Sequence, residues 1–167
     1  LPAEPAAAAR TFSIRQVPVE VVRPLRHLVL RPGRPPDTVR IPEDDSADTW
    51  HLAAIAGDDV VGVMTLFADT PPPVVPTPAE RFRWMAVHPD WQGRGVGRSL
   101  LHEAASRLQR RGAAHMWAHG RDSAQPFYER NGFDVYGAAF VDPDTGISHH
   151  IIAAPVDRVL ERTALRS

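Results

Sequence analysis

Arg83-Trp84-Met85-Ala86-Val87-His88-Pro89-Asp90-Trp91-Gln92-Gly93-Arg94-Gly95-Val96-Gly97-Arg98-Ser99-Leu100-Leu101 reads as a strand, a glycine-rich turn and the start of a helix. Arg83 to Val87 is a short run of bulky side chains, and Pro89, which cannot donate to a sheet ladder, closes it. From Leu100 the apolar residues recur as Leu100, Leu101, Ala104, Ala105 and Leu108, the spacing of one helix face. Glu103 and Arg107 form an i,i+4 pair on the polar side, and Gly112 is placed to end the helix. Between strand and helix lie Gly93, Gly95 and Gly97, flanked by Arg94 and Arg98. Such a turn leaves backbone N–H groups unpaired at the positive end of a helix dipole, so it is an anion site by construction. A tight turn that binds nothing would not need three alternating glycines, each of which costs chain entropy.

The class of anion follows partly by exclusion. The lysine-tipped nucleotide loop is ruled out, since all 19 basic residues are arginine. The dinucleotide fingerprint fails as well: its third glycine falls on Arg98 when counted from Gly93, and on Leu100 when counted from Gly95. What remains, Gln92-x-x-Gly95-x-Gly97, resembles the coenzyme A loop of the GNAT superfamily of N-acetyltransferases. A second stretch, Arg121-Asp122-Ser123-Ala124-Gln125-Pro126-Phe127-Tyr128 with Gly132-Phe133 after it, resembles the superfamily's Ala-x-x-Phe-Tyr signature and the Gly-Phe that follows. The two signatures stand in the family's order, with a helix and a strand between them. The resemblance covers residues 11 to 156. Val29-Leu30-Arg31-Pro32-Gly33 and Gly146-Ile147-Ser148-His149-His150 further resemble a weakly characterised bacterial subgroup, which names no substrate.

The resemblance implies an α/β (α+β) fold: one GNAT-type domain, a mixed and mostly antiparallel sheet of six to seven strands flanked by helices. Its fourth and fifth strands, here near 81–88 and 113–118, are expected to splay apart and admit the pantetheine arm. It also implies acetyl-CoA as acyl donor and a primary amine of a small molecule or peptide as acceptor, attacking directly in a ternary complex. On this basis Met85, Ala86 and Val87 supply main-chain groups that pair with pantetheine as an extra strand would. Gln92, Gly93, Arg94, Gly95, Val96, Gly97, Arg98 and Ser99 hold the pyrophosphate, while Ala124 and Phe127 complete the cofactor site. A backbone N–H near Val87 is placed to polarise the thioester carbonyl. Tyr128 is the candidate general acid, a phenol of pKa near 10 being reasonably matched to a departing thiolate.

Two positions depart from the family pattern. Arg81 stands where histone-type members carry a glutamate base, and Glu80 beside it should face the other side of a regular strand. Arg121 stands where many members have an asparagine that touches the cofactor. Candidate bases are therefore His88, His119, His150, the acids of residues 43–45, or a water chain. A coenzyme A-binding sensor or partner-binding module without turnover is the alternative, and the missing base leans slightly that way.

Around these landmarks the chain reads as a single domain of 167 residues, long enough to bury a core. Residues 1–10 are Ala/Pro-rich and expected to be flexible; the acetyltransferase domain is expected over 11–156 and a tail over 157–167, with a short amphipathic helix from Pro155. Thr11 to Val17 reads as a first strand, and Val19 to Leu30 as a helix that begins near Pro24. Residues 31–49 form a long polar loop, expected to wall a substrate pocket. Trp50–Ala56 and Val60–Ala68 read as a hairpin, Ala113–Ala118 as a fifth strand, and Phe133–Val141 with Ile147–Ala154 as a last hairpin. Asp122 or Ser123 is expected to cap the short helix before Asn131-Gly132.

A net charge of −1 offers no field for nucleic acid or anionic lipid, so neither is an expected partner, and Trp50, Trp84, Trp91 and Trp117 read as core or pocket lining. A homodimer is compatible with the sequence. There is no cysteine, and His115 with His119, or His149 with His150, make poor ligand sets, so no metal is expected. No secretory signal or membrane-spanning run is apparent, and a cytoplasmic location is expected.

Overall fold

The computed structural model describes residues 11–165, and the segment 1–10 lies outside them. Among the described residues there are seven strands and four α-helices. They are β1 Ser13–Val17, α1 Val19–Leu30, β2 Trp50–Ala56, β3 Asp59–Phe67, β4 Ala79–Val87, α2 Val96–Arg110, β5 His115–Arg121, α3 Gln125–Arg130, β6 Asp134–Val141, β7 Ser148–Pro155 and α4 Val156–Thr163. One sheet holds all seven strands in the order β1-β2-β3-β4-β5-β7-β6, and only β4 and β5 run parallel. β7 inserts between β5 and β6, so the last hairpin meets the sheet through its second strand.

Helices cover both faces. On one, Leu100, Leu101, Ala104, Ala105 and Leu108 of α2 are fully buried against Leu52, Leu66, Phe82 and Met116. Burying each such leucine stabilises the fold by roughly 1.5–3 kcal/mol. The same cluster includes Val156 and Val159 of α4, so the expected tail carries a helix that closes this side. On the opposite face Val19, Val22 and Leu25 of α1 pack on Ala53, Val63 and Ala86. That packing explains why α1 begins at Val19 rather than near Pro24: Pro24 is exposed inside the helix, and burial of its neighbours outweighs the lost hydrogen bond. Among the described residues no helix is long and apolar enough to cross a membrane.

Two irregularities shape the centre of the sheet. β4 and β5 pair only through Ala79↔His115, Glu80↔Met116 and Arg81↔Trp117, after which the strands separate and the β5-facing edge of β4 has no strand partner. β4 is also bulged, since the register passes from Val63↔Ala86 to Thr65↔Arg83 and sets two residues against one. Trp84, in the bulge, has φ +58°, a left-handed conformation that costs an L residue on the order of 1–2 kcal/mol.

The 31–49 loop is more ordered than a polar run suggests. Short 3-10 turns at Pro36–Val39 and Pro42–Asp45 bury Val39 and Asp44. Asp44 accepts two hydrogen bonds from Arg26, at 2.9 and 3.0 Å, and both side chains are shut off from solvent. Arg26 also donates to Thr65 Oγ1 at 2.6 Å and to the Val39 carbonyl at 3.0 Å. His51 completes the group by hydrogen-bonding Thr65 through Nδ1 and donating from Nε2 to the Asp44 carbonyl.

Candidate active site

The gap between β4 and β5 opens into two cavities that meet inside the sheet. The larger follows the glycine turn. Gly95 caps α2 with φ +82° and Gly93 precedes it at +73°, conformations that bring the chain round with no side chain in the way. The first helical hydrogen bond runs from Ser99 N to Gly95 O, so the amides of Val96, Gly97 and Arg98 have no acceptor within the helix, and no acidic residue stands in its first turn. Gly97 serves a different purpose: a Cβ there would stand 3.0 Å from Phe127 and 3.2 Å from Met85, so its absence lets α2, α3 and β4 meet.

Of the residues expected to hold the cofactor, Met85, Ala86, Val87, Gln92, Gly93, Gly95, Val96, Gly97, Arg98, Ala124 and Phe127 line this groove. Arg94 and Ser99 do not; Arg94 lies over the Trp91 ring at 5.7 Å. Arg98 lines the groove, but its guanidinium donates to the carbonyls of Thr163 and Ala164 and so ties α2 to the end of α4. The groove adds Arg130 and Arg162, two cations that only the packing of α3 and α4 beside α2 brings to it.

The second cavity, of about 340 Å³, opens on the other side of the gap. It is lined by Arg81, Arg83, His119, Arg121 and His149, with Arg31 and Asp142 above and Tyr128 at its floor. Of residues 31–49, only Arg31 reaches it. Leu30, Met85, Arg121, Ala124 and Tyr128 line both cavities and mark where they join.

Tyr128 is caged by Phe82, Phe127 and Phe133, with ring centroids 5.2–5.9 Å away. Its hydroxyl faces the Met85 sulfur at 3.7 Å. Burial pushes the phenol well above its ordinary value, an effect that Arg121 only partly offsets. It is thus a firmly held donor rather than an acid matched to a thiolate, as a free phenol would be.

The candidate bases separate by their hydrogen bonds. Asp44 is engaged by Arg26. Glu80 pairs with Arg111 at 3.3 Å and does not line the cavity. His88 accepts the Asp90 N–H and lies in a separate depression. His150 donates to Asp122, which also takes the Ser148 hydroxyl; that carboxylate therefore does not cap α3. His119 does line the cavity, but Arg81 donates to its Nδ1 at 3.2 Å. Its proton therefore sits on Nε2 and no lone pair is free. Desolvation, helped by the charge of Arg81, pushes this imidazole down to about 4. His149 shows the reverse arrangement: Nδ1 donates to the Ile147 carbonyl at 2.8 Å, so the Nε2 lone pair is available. Its register opposite Arg121 brings it to the cavity, which sequence alone did not suggest.

Comparison with known proteins places this geometry. The model of the acetyltransferase (GNAT) domain matches residues 47–135, from just before β2 into β6. The uncharacterised N-acetyltransferase YitI of Bacillus subtilis is 24% identical over 141 residues, 84% of this chain and 93% of that protein. Among solved structures, a Lactobacillus plantarum protein described as an N-acetyltransferase superposes with a TM-score of 0.72 at 22% identity, over 87% of this chain and 99% of its own. An aminoglycoside 6'-N-acetyltransferase complexed with coenzyme A gives 0.66 at 11% identity, over 86% and 97%. With the domain model matching more than half of the chain, and the splayed strands and glycine turn in place, the protein belongs to the GNAT acetyltransferase family.

Proposed function

We propose that this protein transfers an acetyl group from acetyl-CoA to a primary amine of a small molecule or peptide, by direct attack while both are bound. The observation that carries this is the meeting of the two cavities at Met85 and Tyr128, one floored by the glycine turn and the other by polar side chains. An acyl thioester reached through the first cavity and an amine held in the second would be neighbours, which supplies much of the rate advantage.

The cofactor supplies an activated acetyl group; the chain's residues supply position and proton management. The unpaired amides at the start of α2 suit a pyrophosphate, and the free edge of β4 suits two amides in extended form. As the C–N bond forms and the C–S bond breaks, the amine loses a proton and the sulfur requires one. His149, with its lone pair on Nε2, is the group we assign to take the first. Tyr128 is assigned to hydrogen-bond the departing sulfur, which takes its proton from solvent as the free thiol leaves. The test is release of free thiol from acetyl-CoA with a panel of amines, with the acetylated product identified by mass. Thiol release that no amine stimulates would refute the proposal.

A further inference from the structure

The second cavity carries more positive charge than its own carboxylate neutralises. Arg31 is 8% exposed, and its hydrogen bond goes to the Leu30 carbonyl at 2.9 Å. Arg121 donates to that same carbonyl at 3.3 Å, so two guanidinium groups converge with no carboxylate between them. Arg83 has no hydrogen-bond or ion-pair partner among the described residues and rests on the Trp84 ring at 4.8 Å. Only Arg81 is neutralised, by Asp69 at 2.8 Å. The one acid on the cavity wall, Asp142, uses Oδ1 to accept the Asp144 and Thr145 amides of its own turn. Burial, helped by neighbouring cations, lowers the pKa of Arg31 and Arg83, and the attraction of Asp142 offsets this only in part.

We propose that the acceptor carries a carboxylate beside its amine, as an amino acid or a small amino-acid derivative does, and that Arg83, with Arg31 and Arg121, binds that carboxylate. The inference rests on the acetyl-transfer reading and narrows it. A guanidinium matches a planar carboxylate with two parallel N–H donors, and desolvation in a cleft strengthens the pairing. The volume of about 340 Å³ is at the small end for small-molecule sites, which favours one amino-acid-sized body over a folded peptide. The same wall that repels an ammonium is answered by His149, which can take up the proton when the amine arrives charged.

The test compares each of the twenty standard amino acids with its carboxamide as acceptor, by thiol release from acetyl-CoA. The best acid should exceed its amide in kcat/KM on the order of 10²-fold, mostly through KM. In Arg83→Gln that ratio should fall to within about threefold of unity, and Arg83→Lys should restore part of it. Arg121→Gln, read on the same ratio, stands in should the first variant fold poorly. Equal rates for acids and amides, or a ratio unmoved in both variants, would overturn the carboxylate site and leave acetyl transfer standing. Should no amine be acetylated, the acetyl-transfer reading fails, and calorimetric titration with N-acetyl amino acids and their amides decides the site separately. Acid-selective binding lost in Arg83→Gln would uphold it; no selectivity would overturn it.

Discussion

Asp44→Asn tests how the 31–49 loop is tied to α1, whose last residue, Leu30, lines the second cavity. Asp44 takes two Arg26 N–H groups at 2.9 and 3.0 Å, with both side chains fully buried and Arg23 at 3.6 Å as a further cation. Asparagine keeps the shape and removes the charge, so the Arg26 guanidinium is left buried and uncompensated. Breaking one side of such a pair costs about 3–5 kcal/mol. For a chain of this size each kcal/mol moves Tm by roughly 2–4 °C, so a fall on the order of 10 °C is expected. Replacing both partners, as Arg26→Met with Asp44→Asn, should recover part of the loss, because no buried charge then lacks a partner. The pair also has a pH signature. Burial alone would raise the Asp44 carboxyl, but the Arg26 hydrogen bonds reverse this and hold it below its ordinary value. A depressed folded pKa contributes stability that is complete above the unfolded value and is lost as pH falls through the folded one. The wild type should therefore lose stability below about pH 4 more steeply than Asp44→Asn. Thermal and urea unfolding of the four forms across pH supplies the cycle. A single-variant loss under about 1 kcal/mol, or strictly additive losses in the double variant, would refute the coupling.

Acetyl-CoA should raise Tm by mass action, and Gly95→Asp should abolish that rise, because it places a carboxylate at the helix start and strains a residue at φ +82°; an unchanged rise in a folded variant would remove the turn from the cofactor site. Tyr128→Phe should lower kcat on the order of 10²-fold with cofactor affinity nearly unchanged. Because burial keeps the phenol protonated, this defect should be constant from neutral pH to about pH 9, and equal kcat in both forms would dismiss the residue. His149→Gln should lower kcat by at least 10²-fold with cofactor affinity nearly unchanged, and a wild-type kcat would exclude it as base. Arg83→Gln, which removes a partnerless half-buried cation, should raise Tm by a few degrees, whereas a lower Tm would mean that Arg83 is structurally engaged.

The fold was legible where local chemistry and tertiary packing agree. The apolar spacing of α2 and the left-handed glycines before it need no partner to be recognised, and both stand where the sequence placed them. The start of β4 was less visible. Its true origin at Ala79 lies among the charged residues Glu80, Arg81 and Arg83, of which both arginines line the cavity while Phe82 and Trp84 between and after them are buried. Arg26 was invisible for a related reason: it sits on the buried face of α1, and its partner Asp44 comes from a loop that sequence treats as solvated. His149 could be identified only from β-sheet register, since adjacent His150 points to Asp122 and not into the cavity. Such pairings are non-local, and no window along the chain contains them.

The features that break local rules are concentrated on one side of the β4–β5 gap. Trp84 holds a left-handed backbone there, and three arginines (Arg26 at 5.2 Å, Arg31 at 4.9 Å and Arg83 at 4.8 Å) surround its indole. Only Arg26 among them has a carboxylate partner, and only Arg26 stands outside the cavity lining. The distinction separates structure from function within one cluster: the neutralised cation anchors α1 to the loop, and the other two are left to a ligand. A strained bulge costs stability and persists only where its surroundings enforce it. Here it turns the strand so that Arg83 and Met85 both reach the cavities, one toward the acceptor and one toward the thioester. A chain optimised for stability alone would straighten β4 and neutralise Arg83, and would thereby lose the preformed charge on which the proposed acceptor selectivity depends.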